Sequence, residues 1–333
     1  MSSSTSKSDL ALLFVVLVWG VNFPVLKAAL SVMHPHVINI FRFAVSAVTL
    51  GGLYALQQEV TSFEDFWRPL RTHAWKIAGL GLLGYVVYQL CFIIGVNNTT
   101  SGNAALIMTS APLWTALLGR IAGYERLALR AWLGLGISLV GTVMVVVAAA
   151  GDVALDGSLY GNLIMLAGAV LWGAYTAFNK AVVHDVSPTG ATFFGIIVAL
   201  PFLFGIGIPY LDTVVWARVT WWVWVAIVFS GGLSTGIAFA IWNTAVKTVG
   251  ASNTAVYSNL VPFVALIGGV LFLDEAVTWT QLAGGVLIIG GLLLMRRTRR
   301  QRRSVPNSIH GNSSAITGDG PHEDAAAPGG MGK

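Results

Sequence analysis

Ten apolar runs divide this chain, at about 10–29, 37–56, 75–96, 103–121, 131–149, 159–182, 189–208, 221–245, 253–273 and 278–295. A helix rises 1.5 Å per residue and a bilayer core is about 30 Å thick, so each run is long enough to cross it. Composition leaves no soluble alternative. Only 10% of the residues are charged and 56% are hydrophobic, with mean hydropathy +0.75; globular domains carry about 25% charged residues. The reading is an all-α membrane protein of ten transmembrane helices. A cleaved signal peptide is not expected, because no small-residue site follows the first run. The single cysteine, Cys91, excludes an intramolecular disulfide.

Lysine and arginine set the orientation. With residues 1–9 in the cytoplasm, the connector 57–76 places Arg68, Arg71 and Lys76 there, and the next cytoplasmic connector adds Arg120, Arg126 and Arg130. The opposite side receives Lys27 and Arg218 at helix ends, while its loops hold Asp152, Asp156, Asp212, Asp274 and Glu275. Both termini are therefore expected in the cytoplasm, in an inner (plasma) membrane. The tail 297–333 opens on arginines, "RRTRRQRR" from Arg296. Directly after a span such a cluster reads as a stop-transfer anchor touching lipid headgroups, not as a nucleic-acid patch. Residues 304–333 have no apolar period and are expected to be disordered.

The ten helices are two copies of five. At an offset of 153, Trp19, Gly20 and Lys27 pair with Trp172, Gly173 and Lys180, and Pro35 with Pro188. At an offset of 150, Asn103, Pro112, Glu125, Gly134 and Gly141 pair with Asn253, Pro262, Glu275, Gly284 and Gly291. Five is odd, so the copy 159–296 enters the membrane from the face opposite to 10–149. Inverted repeats of this kind are the plan of secondary transporters, with substrate near the midplane between the repeats.

Ten spans, the "WG" of the first, the proline before the second, the Asn-to-Pro fourth and the Glu-bearing connector after it resemble the drug/metabolite transporter superfamily. Within it the closest likeness is to the EamA-type exporters, which include YddG-like amino-acid exporters. The resemblance covers residues 10–296 and implies a carrier without a bound cofactor, often an exporter of amino acids and related metabolites. Its implied partners are a small-molecule substrate and the lipid bilayer, and a monomer is expected.

Polar and aromatic residues inside spans tend to face the bundle interior or a wet cavity. The candidates for a substrate cavity are Trp19, Asn22, Arg42, Tyr85, Tyr88, Gln89, Asn103, Trp172, Tyr175, Asn179, Trp242, Asn253 and Tyr257. Asn22 follows Trp19 by one turn, Tyr175 and Asn179 follow Trp172, and Tyr85 and Gln89 are spaced i, i+4. Arg42 is open to two readings: it snorkels outward, or it holds a negatively charged substrate group. Asn103 and Asn253 read first as helix N-caps and second as path-facing groups. Pro112 and Pro262 bend the fourth and ninth helices, as static kinks or as hinges for alternating access. Trp216, Trp221, Trp222 and Trp224 read as an interfacial belt. Glycine pairs such as Gly232/Gly236 and Gly119/Gly123 read as close helix packing.

No Asp or Glu sits centrally in a span, and all six His lie in loops or tails. That speaks against proton coupling through a membrane carboxylate, against a metal site and against an intramembrane enzyme. The most favoured cargo is a small amphipathic metabolite, above all amino acids including aromatic ones. Lipophilic cations, or sugar phosphates and nucleotide sugars, are the alternatives.

Overall fold

The computed structural model describes residues 2–57, 62–123, 129–148, 158–182, 186–249 and 257–303. Those residues are helical apart from short turns, as lipid demands, since every backbone polar group there must find a partner inside the protein. The spans are α1 (Ser2–Leu30), α2 (Pro35–Gln57), α3 (Phe63–Asn98), α4 (Ser101–Ile121), α5 (Leu129–Ala148), α6 (Ser158–Val182) and α7 (Pro188–Gly207). They are followed by α8, built of three consecutive stretches from Trp221 to Val249, then α9 (Val261–Leu273) and α10 (Trp279–Arg303). Eight of them are long and apolar enough to cross a membrane, and the described parts of α9 and α10 are shorter apolar helices.

The helix starts follow ordinary capping chemistry. Pro35 and Pro188 each occupy the first helical position, where the missing N–H costs nothing. Ser187 caps α7 by accepting from the Gly190 N–H at 3.1 Å. Where a loop is expected over 57–76, the chain instead folds as helix from Phe63. Ser62 accepts from the Asp65 N–H, and Pro69 is followed by a non-helical His73 (φ −124°, ψ 24°) that kinks α3 before it enters the membrane. Phe63, Phe66, Trp67 and Leu70 recur there at helical spacing, and the last three pack on the core, but the stretch is largely exposed and too polar to form an apolar run.

Glycines bring the two halves together in reciprocal pairs. A Cβ on Gly20 in α1 would meet Val264 at 2.4 Å and the Val261 carbonyl at 3.1 Å, on α9. A Cβ on Gly173 in α6 would meet Trp114 at 2.6 Å and the Ala111 carbonyl at 3.1 Å, on α4. Each residue of the second set is the repeat mate of one in the first. The same exchange joins α5 to α10: Gly141 against the Gly284 carbonyl at 2.6 Å, and Gly291 against the Gly134 carbonyl at 2.4 Å. A two-fold relation between inverted halves requires contacts of this crossed kind. The Gly119/Gly123 expectation fails, however: Gly123 has φ 79° with open space around it, so it ends α4 in a left-handed turn instead of packing a helix.

The outward faces are apolar and exposed, as lipid contact requires: Trp216, Trp221 and Trp224 are among them, in keeping with an interfacial belt. His34 and His36 belong to the turn into α2, where the His34 ring stacks on Tyr210 with centroids 4.0 Å apart. No cluster of metal-ligating side chains occurs among the described residues.

The glycine contacts predict a position-specific cost. Gly141→Leu should lower the midpoint of thermal unfolding in detergent by an amount equivalent to about 1–3 kcal/mol of overpacking. Gly136→Leu, on the same helix with nothing within 4 Å of its Cβ position, should be close to neutral. Equal effects at the two sites would contradict the α5–α10 packing.

Candidate functional site

Two helices change pitch where the halves meet. In α3, residues Leu82–Val87 are π-helical, and the Tyr88 N–H bonds to the Leu83 carbonyl, five residues back. In α8, Phe229–Ile237 are π-helical, and the Ala238 N–H bonds to the Leu233 carbonyl. Adding 150 to 82–87 gives 232–237, inside the second segment, so the device is duplicated with the repeat. Such widened turns often mark functional sites. Each packs glycine backbone against its neighbour. A Cβ on Gly231 would meet the Arg42 carbonyl at 2.4 Å, and a Cβ on Gly81 would meet the Gly195 carbonyl at 2.7 Å.

Aromatic rings run through this junction. Trp242 and Trp19 lie 4.9 Å apart between centroids, Trp19 and Phe239 5.5 Å, Phe239 and Trp172 5.6 Å, and Trp172 and Tyr88 4.9 Å. The chain continues from Tyr88 to Phe92 at 5.8 Å and on to Phe23 at 5.7 Å. Trp172 stacks on Tyr175 at 5.1 Å, and the Tyr175 and Tyr85 hydroxyls share a hydrogen bond of 2.7 Å. The Trp19 Nε1–H donates to the Ser234 carbonyl in the π-helical part of α8, at 3.1 Å. Pairs of this geometry contribute about 0.5–1.5 kcal/mol each beyond burial.

Beside the belt, Arg42 is 2% exposed. It does not snorkel. Its Nη1 donates to Asn39 Oδ1 at 3.0 Å, and its guanidinium lies 5.7 Å from the Phe43 ring centre and 5.8 Å from that of Phe92. Asn39 Nδ2 in turn donates to the Gln89 carbonyl at 3.4 Å. The Ser46 hydroxyl shares its one proton between the Arg42 and Gly231 carbonyls, at 2.9 and 2.8 Å, joining α2 to α8. Several buried polar atoms lack any partner: Arg42 Nε, Gln89 Oε1, Asn22 Oδ1 and Ser230 Oγ.

A second polar set binds the halves at the end bearing Lys27. The Glu275 carboxylate accepts from the Ser101 N–H at 2.8 and 3.0 Å, from its hydroxyl at 2.6 Å and from the Gly102 N–H at 3.4 Å. A carboxylate from one half thus caps a helix of the other, favoured by the helix dipole. Asp274 reaches this position through a left-handed φ of 53°. Lys27 Nζ donates to the Asn97 carbonyl at 2.7 Å, within the field of Glu275. Gln281 Nε2 donates to Asn103 Oδ1 at 2.7 Å, and Thr99 donates to Asn162 Oδ1. Asn103 is not the cap expected of it. Thr100 holds that place, accepting from the Asn103 N–H at 3.2 Å, so Asn103 is free to bond across the repeats.

Of the expected residues, Trp19, Tyr85, Tyr88, Trp172, Tyr175 and Trp242 join one ring system, with Arg42 and Gln89 at its edge. Tyr257 stands apart: its hydroxyl donates to Asp9 Oδ1 at 2.8 Å, at the opposite end of the bundle from Glu275. Asn253 falls outside the described residues, as does the Asn179 side chain. Pro112 and Pro262 both stand just after a break: α4 is interrupted at Thr109–Ser110, and Leu260 caps α9. Phe239, Phe92, Asn39 and Ser230 were not foreseen. Asn39 had a signal, its spacing of i−3 from Arg42; the π-helical turns had none.

The comparisons agree with this architecture. Residues 6–147 and 159–297 both match the model of the EamA-like transporter family. The chain belongs to that family, and so to the drug/metabolite transporter superfamily. It is 26% identical to an uncharacterized transporter of Bacillus subtilis over 82% of this chain and 88% of that one. It is also 26% identical to a Salmonella typhimurium protein named "Probable amino-acid metabolite efflux pump", over 88% and 98%. A Streptantibioticus cattleyicolor protein named "Probable terminal-alkyne amino-acid exporter" is 27% identical over 90% and 98%. A solved crystal structure superposes on 90% of this chain and 99% of its own with TM-score 0.62 at 20% identity, a likeness of fold.

Removing the Glu275 carboxylate leaves helix N–H groups unmet. Glu275→Ala should destabilise the purified protein by about 0.5–2 kcal/mol in thermal or denaturant unfolding, as lost caps do. Glu275→Gln should recover part of it, and Glu64→Ala, at an exposed site, none. A Glu275→Ala protein as stable as the parent would refute the cap.

Proposed function

We propose that the protein is an alternating-access carrier that exports small amphipathic metabolites, most favourably amino acids including aromatic ones. The observation that carries this reading is the ring system at the junction of the repeats. It draws Trp19, Tyr88 and Tyr85 from one half and Trp172, Tyr175, Phe239 and Trp242 from the other. A binding surface made of both halves is remade whenever they rock, which is what alternating access asks of a central site. Relatives named for amino-acid export support the same cargo. The buried positive charge of Arg42 weighs against a lipophilic cation.

In this reading the halves 10–149 and 159–296 move against each other, with the breaks at Pro112 and Pro262 as hinges. Asn22, Gln89 and Asn103 supply amides along the path, and Tyr257 with Asp9 joins the cytoplasmic end. The chain lies in the plasma membrane with both termini inside, works as a monomer and needs no cofactor. Substrate moves down its own gradient without a membrane carboxylate to carry protons.

Proteoliposomes containing the purified protein should take up labelled L-phenylalanine with saturating kinetics, and an imposed pH gradient should change little. Trp172→Ala should weaken apparent affinity about tenfold, equivalent to about 1.4 kcal/mol of lost ring contact. Movement of methyl viologen without any amino acid would defeat the reading. Ionophore-sensitive accumulation against a gradient would defeat its uncoupled form. For topology, an externally added thiol reagent should label Val277→Cys and spare Phe63→Cys in intact cells.

A further inference from the structure

Arg42 breaks the two-fold relation that the glycine contacts and the π-helical turns obey. Its repeat mate, at the offset of 153 that pairs Trp19 with Trp172, is Gly195. Beside Gly195 the space is filled by Tyr85, 2.7 Å from where a Cβ would stand, and Tyr85 bonds Tyr175. So where one position carries a guanidinium, its mate faces a hydroxyl pair shared between the halves. Packing does not require that charge, since the close contact of α2 with α8 is made by the Arg42 backbone carbonyl and Gly231.

The charge is also left incomplete. A buried cation without a counter-charge is costly, by several kcal/mol, and arginine stays protonated in proteins. The polar partner that the structure gives the Arg42 side chain is the neutral Asn39 amide, and Nε has none. Two residues of adjoining helices carry further buried oxygens without a partner. Gln89 Oε1 lies on the residue whose carbonyl binds Asn39, and Ser230 Oγ is adjacent to the Gly231 that abuts Arg42. One unmet donor on a cation and two unmet acceptors are the complement of a group carrying a carboxylate and an ammonium on neighbouring atoms. From Arg42 the aromatic belt leads away through Phe92 and Tyr88 to Trp172.

We propose that Arg42 is the carboxylate anchor of the transport site, so that the cargo class is the zwitterionic α-amino acid with a free carboxylate. Its carboxylate pairs with the Arg42 guanidinium, its ammonium donates to Gln89 Oε1 and Ser230 Oγ, and its side chain lies along the rings toward Trp172. This rests on the carrier reading above and sharpens it: amino-acid amides, esters and decarboxylated amines are excluded because they leave the cation unpaired.

The test uses L-phenylalanine and L-phenylalaninamide, with binding to the purified full chain and flux in proteoliposomes measured side by side. In the parent the amide should compete about ten- to a hundredfold more weakly than the amino acid, the range expected of hydrogen bonds to a charged group. Arg42→Gln should weaken phenylalanine and shrink that gap to within about threefold, while Arg42→Lys should keep most of it. An Arg42→Gln protein that retains the parent's gap overturns the anchor. Where Arg42→Gln yields no monodisperse protein, the parent alone decides, and equal competition by acid and amide overturns it. Discriminating binding without flux supports the anchor and sinks the carrier reading; flux without discrimination does the reverse. Neither binding nor flux of phenylalanine sinks both.

Discussion

Close approach of backbone to backbone between the two halves is the contact on which the rest depends. Apolar side chains gain little from meeting each other in lipid, so helices associate through tight packing and the hydrogen bonds it allows. Gly20, Gly173, Gly141 and Gly291 supply the packing at four crossed contacts, each within 3 Å of an added Cβ. Because every contact has its mate 150 or 153 positions away, one duplicated sequence solves the interface twice. The same closeness places α3 and α8, with their widened turns, beside α7 and α2. The ring system is a consequence of that approach.

Within the symmetric frame the unmatched residues make the junction chemically uneven. Trp19 and Trp172 are equivalent, and so are the π-helical segments. Arg42 and Gly195 are not, nor are Tyr85 and its mate Thr235. A cage with identical halves would read a substrate the same way round from either side. The guanidinium on α2, against a tyrosine pair between α3 and α6, gives the junction two chemically different ends. An amphipathic molecule is oriented by such a difference, with its charged group at one end and its apolar part on the rings.

What was legible in the sequence follows from which signals are periodic. Run length reported the spans, and the two offsets reported the duplication, because lipid and packing impose both residue by residue. Trp19, Trp172, Tyr85, Tyr88 and Tyr175 stood out since aromatic and polar side chains are conspicuous inside apolar helices. The register change in α3 did not, because "LLGYVV" and "FSGGLSTGI" read as ordinary helix; a π turn is selected by what packs against it, here Tyr175 on Gly84 and Arg42 on Gly231. Asn103 misled for a local reason. Asn is a favoured cap, but Thr100 three residues earlier serves equally well, and the Gln281 amide offers Asn103 a partner that sequence spacing cannot reveal. Phe63–Arg71 was missed because its polar face looks like a loop when only apolar runs are counted.

The same asymmetry extends to the ends of the bundle. The Glu275 end is held by the Ser101 hydroxyl on Glu275 and by Gln281 on Asn103. The repeat mates of Ser101 and Gln281 are Ala251 and Ala131, neither of which has a side-chain donor. At the opposite end the described contact is a different one, the Tyr257 hydroxyl donating to Asp9 Oδ1 at 2.8 Å. The two ends are therefore held by unlike chemistry: a carboxylate on helix N–H groups with an amide pair at one, a phenol on a carboxylate at the other.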